Sequence, residues 1–132
     1  VLKRVAAEKE ILARLKNDNV VKLYEAIKHE NMENNHEYQL MFMEICAGGS
    51  MLQYLRRRRK LDDRMAKLFL KQLIRGLGYI HNEGVVHRDI KLENILLSNL
   101  GTLKICDFGV RMVMDADKPV DQIDDCCGTP AY

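Results

Sequence analysis

Apolar positions recur with two periods along this chain, and the switches between them predict where helices and strands begin. Over the first fifteen residues Val1, Val5, Leu12 and Leu15 fall on one stripe at helical spacing, so a helix with one buried face is expected there. Glu8 lies inside that stripe, between Val5 and Leu12, and carries its carboxylate toward the core, whereas Glu10 points away. A buried charge stripped of its partner costs about 3–5 kcal/mol, so Glu8 needs a cation there, the rival reading being that it snorkels to water. Asn17-Asp18-Asn19 breaks the helix. Val20–Ile27 and Tyr38–Ile45 then alternate as two strands joined by the polar stretch Asn31–His36, a hairpin-like pair. Ala47-Gly48-Gly49-Ser50 is a flexible exit, and Met51–Lys60 reads as a short helix.

Asp62 is placed to cap a long helix whose wide apolar face comprises Met65, Ala66, Phe69, Leu70, Leu73, Ile74, Leu77 and Ile80. Gly76 and Gly78 lie too deep in it for a phosphate loop and read as close-packing positions. Gly84 ends the helix. Ile95–Leu97 and Leu103–Ile105 flank the turn Asn99–Thr102, a second hairpin that presents Asn94 at one end and Asp107 at the other, two oxygen ligands converging on one site. The fold class is α+β.

Composition narrows this little. The 132 residues suit one domain, with 47% hydrophobic and 30% charged residues. A net charge of +2 argues for neither nucleic acid nor membrane partners, and no apolar run reaches the ~20 residues of a membrane span. No secretory leader is expected. Cys46, Cys106, Cys126 and Cys127 show no C-x-x-C spacing, which points away from zinc and disulfides and toward a reducing compartment, cytoplasmic or nuclear. The run Arg56–Lys60 reads as a solvated face, because consecutive residues point in different directions around a helix; a basic docking patch is the rival reading.

The chemistry concentrates in Val85–Leu97 and in Cys106-Asp107-Phe108-Gly109, where polar residues stand on loops pinned between apolar runs. This set suits phosphoryl transfer: Asp89 to orient a substrate hydroxyl and accept its proton, Asn94 and Asp107 to offer oxygen ligands to Mg²⁺, Lys91 to place a positive charge near the moving phosphoryl group.

The loop H-R-D-I-K-L-E-N and the turn D-F-G closely resemble the signatures of the protein kinase family, H-R-D-L-x-x-x-N and D-F-G. Ile90 replaces the usual Leu and Leu92 a common Pro, neither touching a chemical group. Lys91 resembles the serine/threonine branch, and the opening helix, the K-L-E-N loop and the C-G-T-P-x-Y segment look most like the calmodulin-dependent and AMP-activated group. The resemblance implies a two-lobed fold, incomplete at both ends because the glycine-rich loop, the V-A-I-K lysine and A-P-E are absent. Residues 1–43 would form part of the small lobe, 44–50 the hinge and 51–132 part of the large lobe. It implies ATP and Mg²⁺ as cofactors and a protein carrying Ser or Thr as substrate, with a regulatory partner left open. Glu8 would organise the absent lysine, Met43 would be the gatekeeper beside adenine, and Glu44-Ile45-Cys46 would read the adenine edge through backbone groups. Ser50 would stand where relatives contact ribose with an acid, Leu96 would pack under adenine, and Cys106 would face the nucleotide, either as a reactive thiol or as inert packing. His87 would be structural, stacked with Leu12, Leu23 and Phe108, and Thr129 would bridge Lys91 and Asp89. Asp125, or Asp124, would pair with Arg88 in place of a phosphate, and Arg111 could compete for Glu8. The rival class is a non-catalytic pseudokinase or truncated partner-binding module, and the 132 residues alone are expected to transfer negligible phosphate.

Overall fold

The computed structural model describes residues 9–31, 36–108, 112–113 and 129–130. Residues 9–14 are helical (α1) and bury Ile11 and Leu12, with Leu15 just beyond. The helix gives way where the Asn17 side chain accepts the Asn19 N–H at 2.9 Å, a turn that competes with helical backbone bonding. Val20 and Val21 do not join the first hairpin as expected. Val20 bridges in parallel to Ile105, and the Val21 N–H donates to the Ile105 carbonyl at 2.9 Å. Both valines are buried, so their apolar character serves the docking of this loop on a neighbouring strand.

The hairpin itself comprises β1 (Leu23–Asn31) and β2 (His36–Met43), antiparallel with one irregularity between Leu23 and Glu25. It reaches further into the polar stretch than expected, since backbone pairing continues to Asn31 and His36 regardless of side-chain polarity.

The second part is mostly helical. Strand β3 (Gly49–Ser50) leads into α2 (Met51–Arg58), and Ser50 closes a capping box: its hydroxyl accepts the Gln53 N–H while the Gln53 side chain accepts the Ser50 N–H. The arginine run diverges in direction. Arg57 donates to the Gly48 carbonyl, Arg58 lies over the Tyr54 ring, and Arg59 ends the helix at φ 65°.

Helix α3 (Asp63–Asn82) starts at Asp62, whose carboxylate accepts the Met65 N–H at 2.8 Å, and it closes before Gly84 at φ 74°. Only part of its apolar face is covered: Phe69, Gly76 and Ile80 are buried, but Leu70 and Ile74 are 55% and 60% exposed and Ala66 is exposed too. The elements it packs on occupy one side alone. Gly76 is the close approach expected of it, since a Cβ there would meet Ile105 Cδ1 at 2.8 Å and the Asn19 carbonyl at 3.0 Å. Gly78 is not, having nothing within 4 Å.

Beyond α3 come β4 (Val85–Val86), a 3-10 turn (Leu92–Asn94), β5 (Ile95–Leu97), β6 (Leu103–Ile105) and β7 (Met112–Val113). Strands β3, β5 and β6 form one antiparallel sheet, and β4 pairs with β7. Burial alternates along β5 and β6, so Ile95, Leu97, Leu103 and Ile105 enter the core while Leu96 and Lys104 share the opposite face. The core runs without a break from Leu12 through Val20 and Ile105 to Ile80, Val85 and Phe108.

Candidate active site

The loop after β4 is anchored by a buried histidine. His87, 1% exposed, stacks against Phe108 with ring centroids 5.0 Å apart. Its Nε2 lies 2.9 Å from the Cys106 carbonyl, and its Nδ1 accepts the Asp89 N–H at 3.3 Å. These two partners assign the neutral tautomer with the proton on Nε2. Burial is the largest influence on the ring and pushes its pKa below the usual value, against the Cys106 carbonyl bond and the charges of Asp107 and Asp89. Leu12 and Phe108 are buried in the same apolar cluster, with Leu23 packed against it. The backbone bends sharply beside the histidine: Arg88 has φ 64° and Asp107 φ 61°, left-handed conformations that an aspartate tolerates better than an arginine.

Asp89 is held from three directions. Lys91 Nζ lies 2.8 Å from Oδ2, the Asn94 side-chain amide donates to Oδ2 at 3.0 Å and to the Asp89 carbonyl at 2.9 Å, and the Thr129 hydroxyl donates to Oδ1 at 2.6 Å. Thr129 in turn accepts from Lys91 at 2.6 Å, so the bridge expected of it is present. The Lys91 bond, then the Thr129 bond, hold the Asp89 carboxyl below its ordinary pKa; the same contact with Asp89 raises that of Lys91. Asp89 is ionised at neutral pH, and a carboxylate has about four lone-pair sites, one more than these donors fill.

Asn94 and Asp107 flank the open end of the β5–β6 hairpin, away from the 98–102 turn. Ile95 pairs with Ile105, and the Cys106 N–H donates to the Asn94 carbonyl at 3.0 Å, which brings the two flanking residues together. Asn94 is buried and its NH₂ is committed to Asp89, so its Oδ1 is the free-facing end of the amide; Asp107 is exposed beside it. Both offer hard oxygen donors, which suit Mg²⁺ completed by phosphate and water rather than a full protein cage. No cluster of three or more His, Cys, Asp or Glu able to hold a metal occurs among the described residues. The Cys106 thiol donates to the Asn94 carbonyl at 3.4 Å, a structural contact.

The segment 44–46 leaves the ladder after β2, where Met43 is 40% exposed, with the Glu44 N–H donating to the Lys22 carbonyl at 2.9 Å. Burial, then the Glu44 charge, push the Cys46 thiol pKa up. The Ser50 oxygen caps α2, which leaves its proton as the group available to a ligand. Leu96 lies directly opposite both Ser50 and Lys104. Glu8, Arg111, Asp124 and Asp125 lie outside the described residues.

Several organising residues escaped the sequence reading. Lys104 forms an ion pair with Glu44 at 2.8 Å. Gln72 accepts both the Leu103 N–H at 3.0 Å and the Asn19 side chain at 3.2 Å. The signal for Gln72 was a lone amide beside Leu73 on an apolar helix face; for Lys104 there was none beyond alternation. No helix among the described residues is long and apolar enough to cross a membrane.

Comparison with known proteins agrees with this geometry. The family model described as "Protein kinase domain" matches residues 2–132. The chain is 35% identical to a probable serine/threonine-protein kinase MARK-B of Dictyostelium discoideum over 98% of its length. It is 39% identical to a cAMP-dependent protein kinase catalytic subunit-like protein of Caenorhabditis elegans over 95%, and 34% identical to NUAK family SNF1-like kinase 1 of Homo sapiens over 97%. It spans 17%, 29% and 18% of those proteins respectively. With an α+β architecture, the matching family model and relatives of this kind, the chain belongs to the protein kinase family, in its serine/threonine branch.

Proposed function

We propose that these residues form the catalytic-loop half of an active site that transfers the γ-phosphoryl group of ATP to a serine or threonine hydroxyl of a protein. The hydroxyl oxygen attacks phosphorus, the bond to the β,γ-bridging oxygen breaks, ADP leaves, and the hydroxyl proton passes to Asp89. A carboxylate held below its usual pKa is a weak base at equilibrium. That suits a loose phosphoryl-transfer transition state, in which the nucleophile needs orienting more than deprotonating. Lys91 neutralises charge beside the transferring group, and Thr129 locks the Lys91–Asp89 spacing. Asn94 Oδ1 and Asp107 would hold Mg²⁺, which draws charge from the nucleotide phosphates. Under this reading the chain divides into small-lobe residues 1–43, a hinge at 44–50 and large-lobe residues 51–132. The hinge backbone at 44–46 and Leu96 would then enclose adenine.

The observation that carries the proposal is the Asp89 carboxylate, fixed by Lys91, Thr129 and Asn94 together. An unused or decayed site has no reason to keep all three donors, which disfavours the non-catalytic alternative. Steady-state assays of the full-length gene product with labelled ATP, Mg²⁺ and Ser/Thr peptides test it. Asp89→Asn should lower kcat about 10²–10⁴-fold with little change in KM for ATP. Undiminished turnover by that variant would overturn the assignment.

A further inference from the structure

Glu44 and Lys104 meet where the candidate hinge crosses the β5–β6 hairpin. Lys104 Nζ lies 2.8 Å from one Glu44 carboxylate oxygen and 3.2 Å from the other, and the two side chains are only 13% and 18% exposed. Neither residue belongs to the Asp89 cluster. Lys104 sits on the same strand face as Leu96, its ladder partner, and two residues before Cys106, whose backbone bonds to Asn94. Glu44 continues directly from Met43, and its own N–H is tied to Lys22. The pair therefore joins the segment that would read the adenine edge to the hairpin that would form the adenine floor and carries Asn94 and Asp107 at its end. Two crevices of about 480 and 620 Å³ flank this contact, both lined by Asp18, Glu44 and Lys104. Without the ammonium group, the Glu44 carboxylate has room to turn toward water and take the backbone of 44–46 with it. A poorly solvated ion pair also resists salt screening better than a surface pair. The thiol of Cys46 senses both charges, Glu44 raising its pKa and Lys104 lowering it.

We propose that Lys104 is a positioning residue for the nucleotide: through Glu44 it sets the height of the 44–46 backbone above Leu96, and hence the fit of the adenine base. This rests on the kinase reading given above. The full-length gene product and its Lys104→Met, Lys104→Arg, Glu44→Gln and Lys104→Glu/Glu44→Lys variants would be compared. The readouts are fluorescence titration with N-methylanthraniloyl-ATP, kcat and KM for ATP, and thermal melts as a check on folding. Lys104→Met should weaken nucleotide binding and raise KM about five-fold while kcat changes less than about two-fold, the pattern of lost uniform binding. Glu44→Gln should weaken nucleotide binding similarly. Lys104→Arg should stay close to wild type, and the charge-swapped double variant should recover most of the loss.

Wild-type nucleotide affinity in Lys104→Met overturns the proposal and leaves the kinase reading standing. If Lys104→Met does not fold, Glu44→Gln decides, because it keeps the side-chain size and removes the charge. A wild-type protein that binds nucleotide but transfers no phosphate refutes the kinase reading, and the binding titration still judges Lys104. A wild-type protein that binds no nucleotide refutes both.

Discussion

His87 owes its role to two nitrogens with opposite duties, one near the Cys106 carbonyl and the other accepting from the Asp89 backbone. Protonating Nδ1 would set a donor against a donor and release Asp89 at its own backbone. Because burial lowers the folded-state pKa below that of the unfolded chain, the unfolded state binds more protons once the pH falls below about 6.5, and stability declines with it. Thermal melts of the ligand-free protein between pH 7 and 5 should reveal this as a loss of at most about 1.4 kcal/mol per pH unit. In His87→Gln, which keeps a donor toward Cys106 but does not titrate, that portion of the slope should vanish; an unchanged slope would assign it elsewhere. Asp89 behaves differently. Its carboxyl is depressed, so its contribution is present above the ordinary carboxylate pKa of about 3.9 and is lost only as the pH falls below it. At this scale the sequence was informative where a contact follows from a side chain's identity and spacing, as for His87, Asp89, Lys91 and Thr129. It was silent on the left-handed backbone of Arg88, which nothing in an arginine announces.

At the scale of elements, signals that act between near neighbours were legible in the sequence, whereas the partner of Val20 and Val21 was not. The Asp62 cap, the break at Asn17–Asn19 and the closing Gly84 each act within four residues, so each could be located from neighbours alone. The start of β1 could not, because whether Val20 and Val21 pair with β2 or with β6 depends on a strand more than eighty residues away. The two glycines of α3 make the same point quantitatively. Gly76→Ala forces a methyl group against Ile105 and the Asn19 carbonyl and should cost about 1–3 kcal/mol, as overpacking does. Gly78→Ala enters open space in a helix and should stabilise by up to about 1 kcal/mol. Denaturant midpoints of the two variants should move in opposite directions; matching shifts would contradict the packing described.

For the whole molecule, the end of α1 and the loop after it are the joint between the hairpin side and the helical side. The Lys16 N–H donates to the Tyr79 hydroxyl at 2.8 Å, Arg14 donates to the Glu83 carbonyl at 3.2 Å, and the Ile105 N–H donates to the Asn19 carbonyl at 2.9 Å. Tyr79→Phe removes one acceptor without changing shape. It should cost about 1 kcal/mol and speed hydrogen exchange at the Lys16 amide, while leaving amides in the middle of α3 protected. Equal loosening throughout would show that the contact is not a local joint. Periodicity, caps and motif spacing determined the order of elements, the family and the residues of the Asp89 loop, because those signals are written in near neighbours and in side-chain chemistry. Only the tertiary structure decided that Lys104 answers Glu44 and that Ala66, Leu70 and Ile74 on the apolar face of α3 stay exposed. Each depends on which distant segment arrives at a given surface, and a linear pattern of apolar and polar residues carries the appetite for a partner without its address.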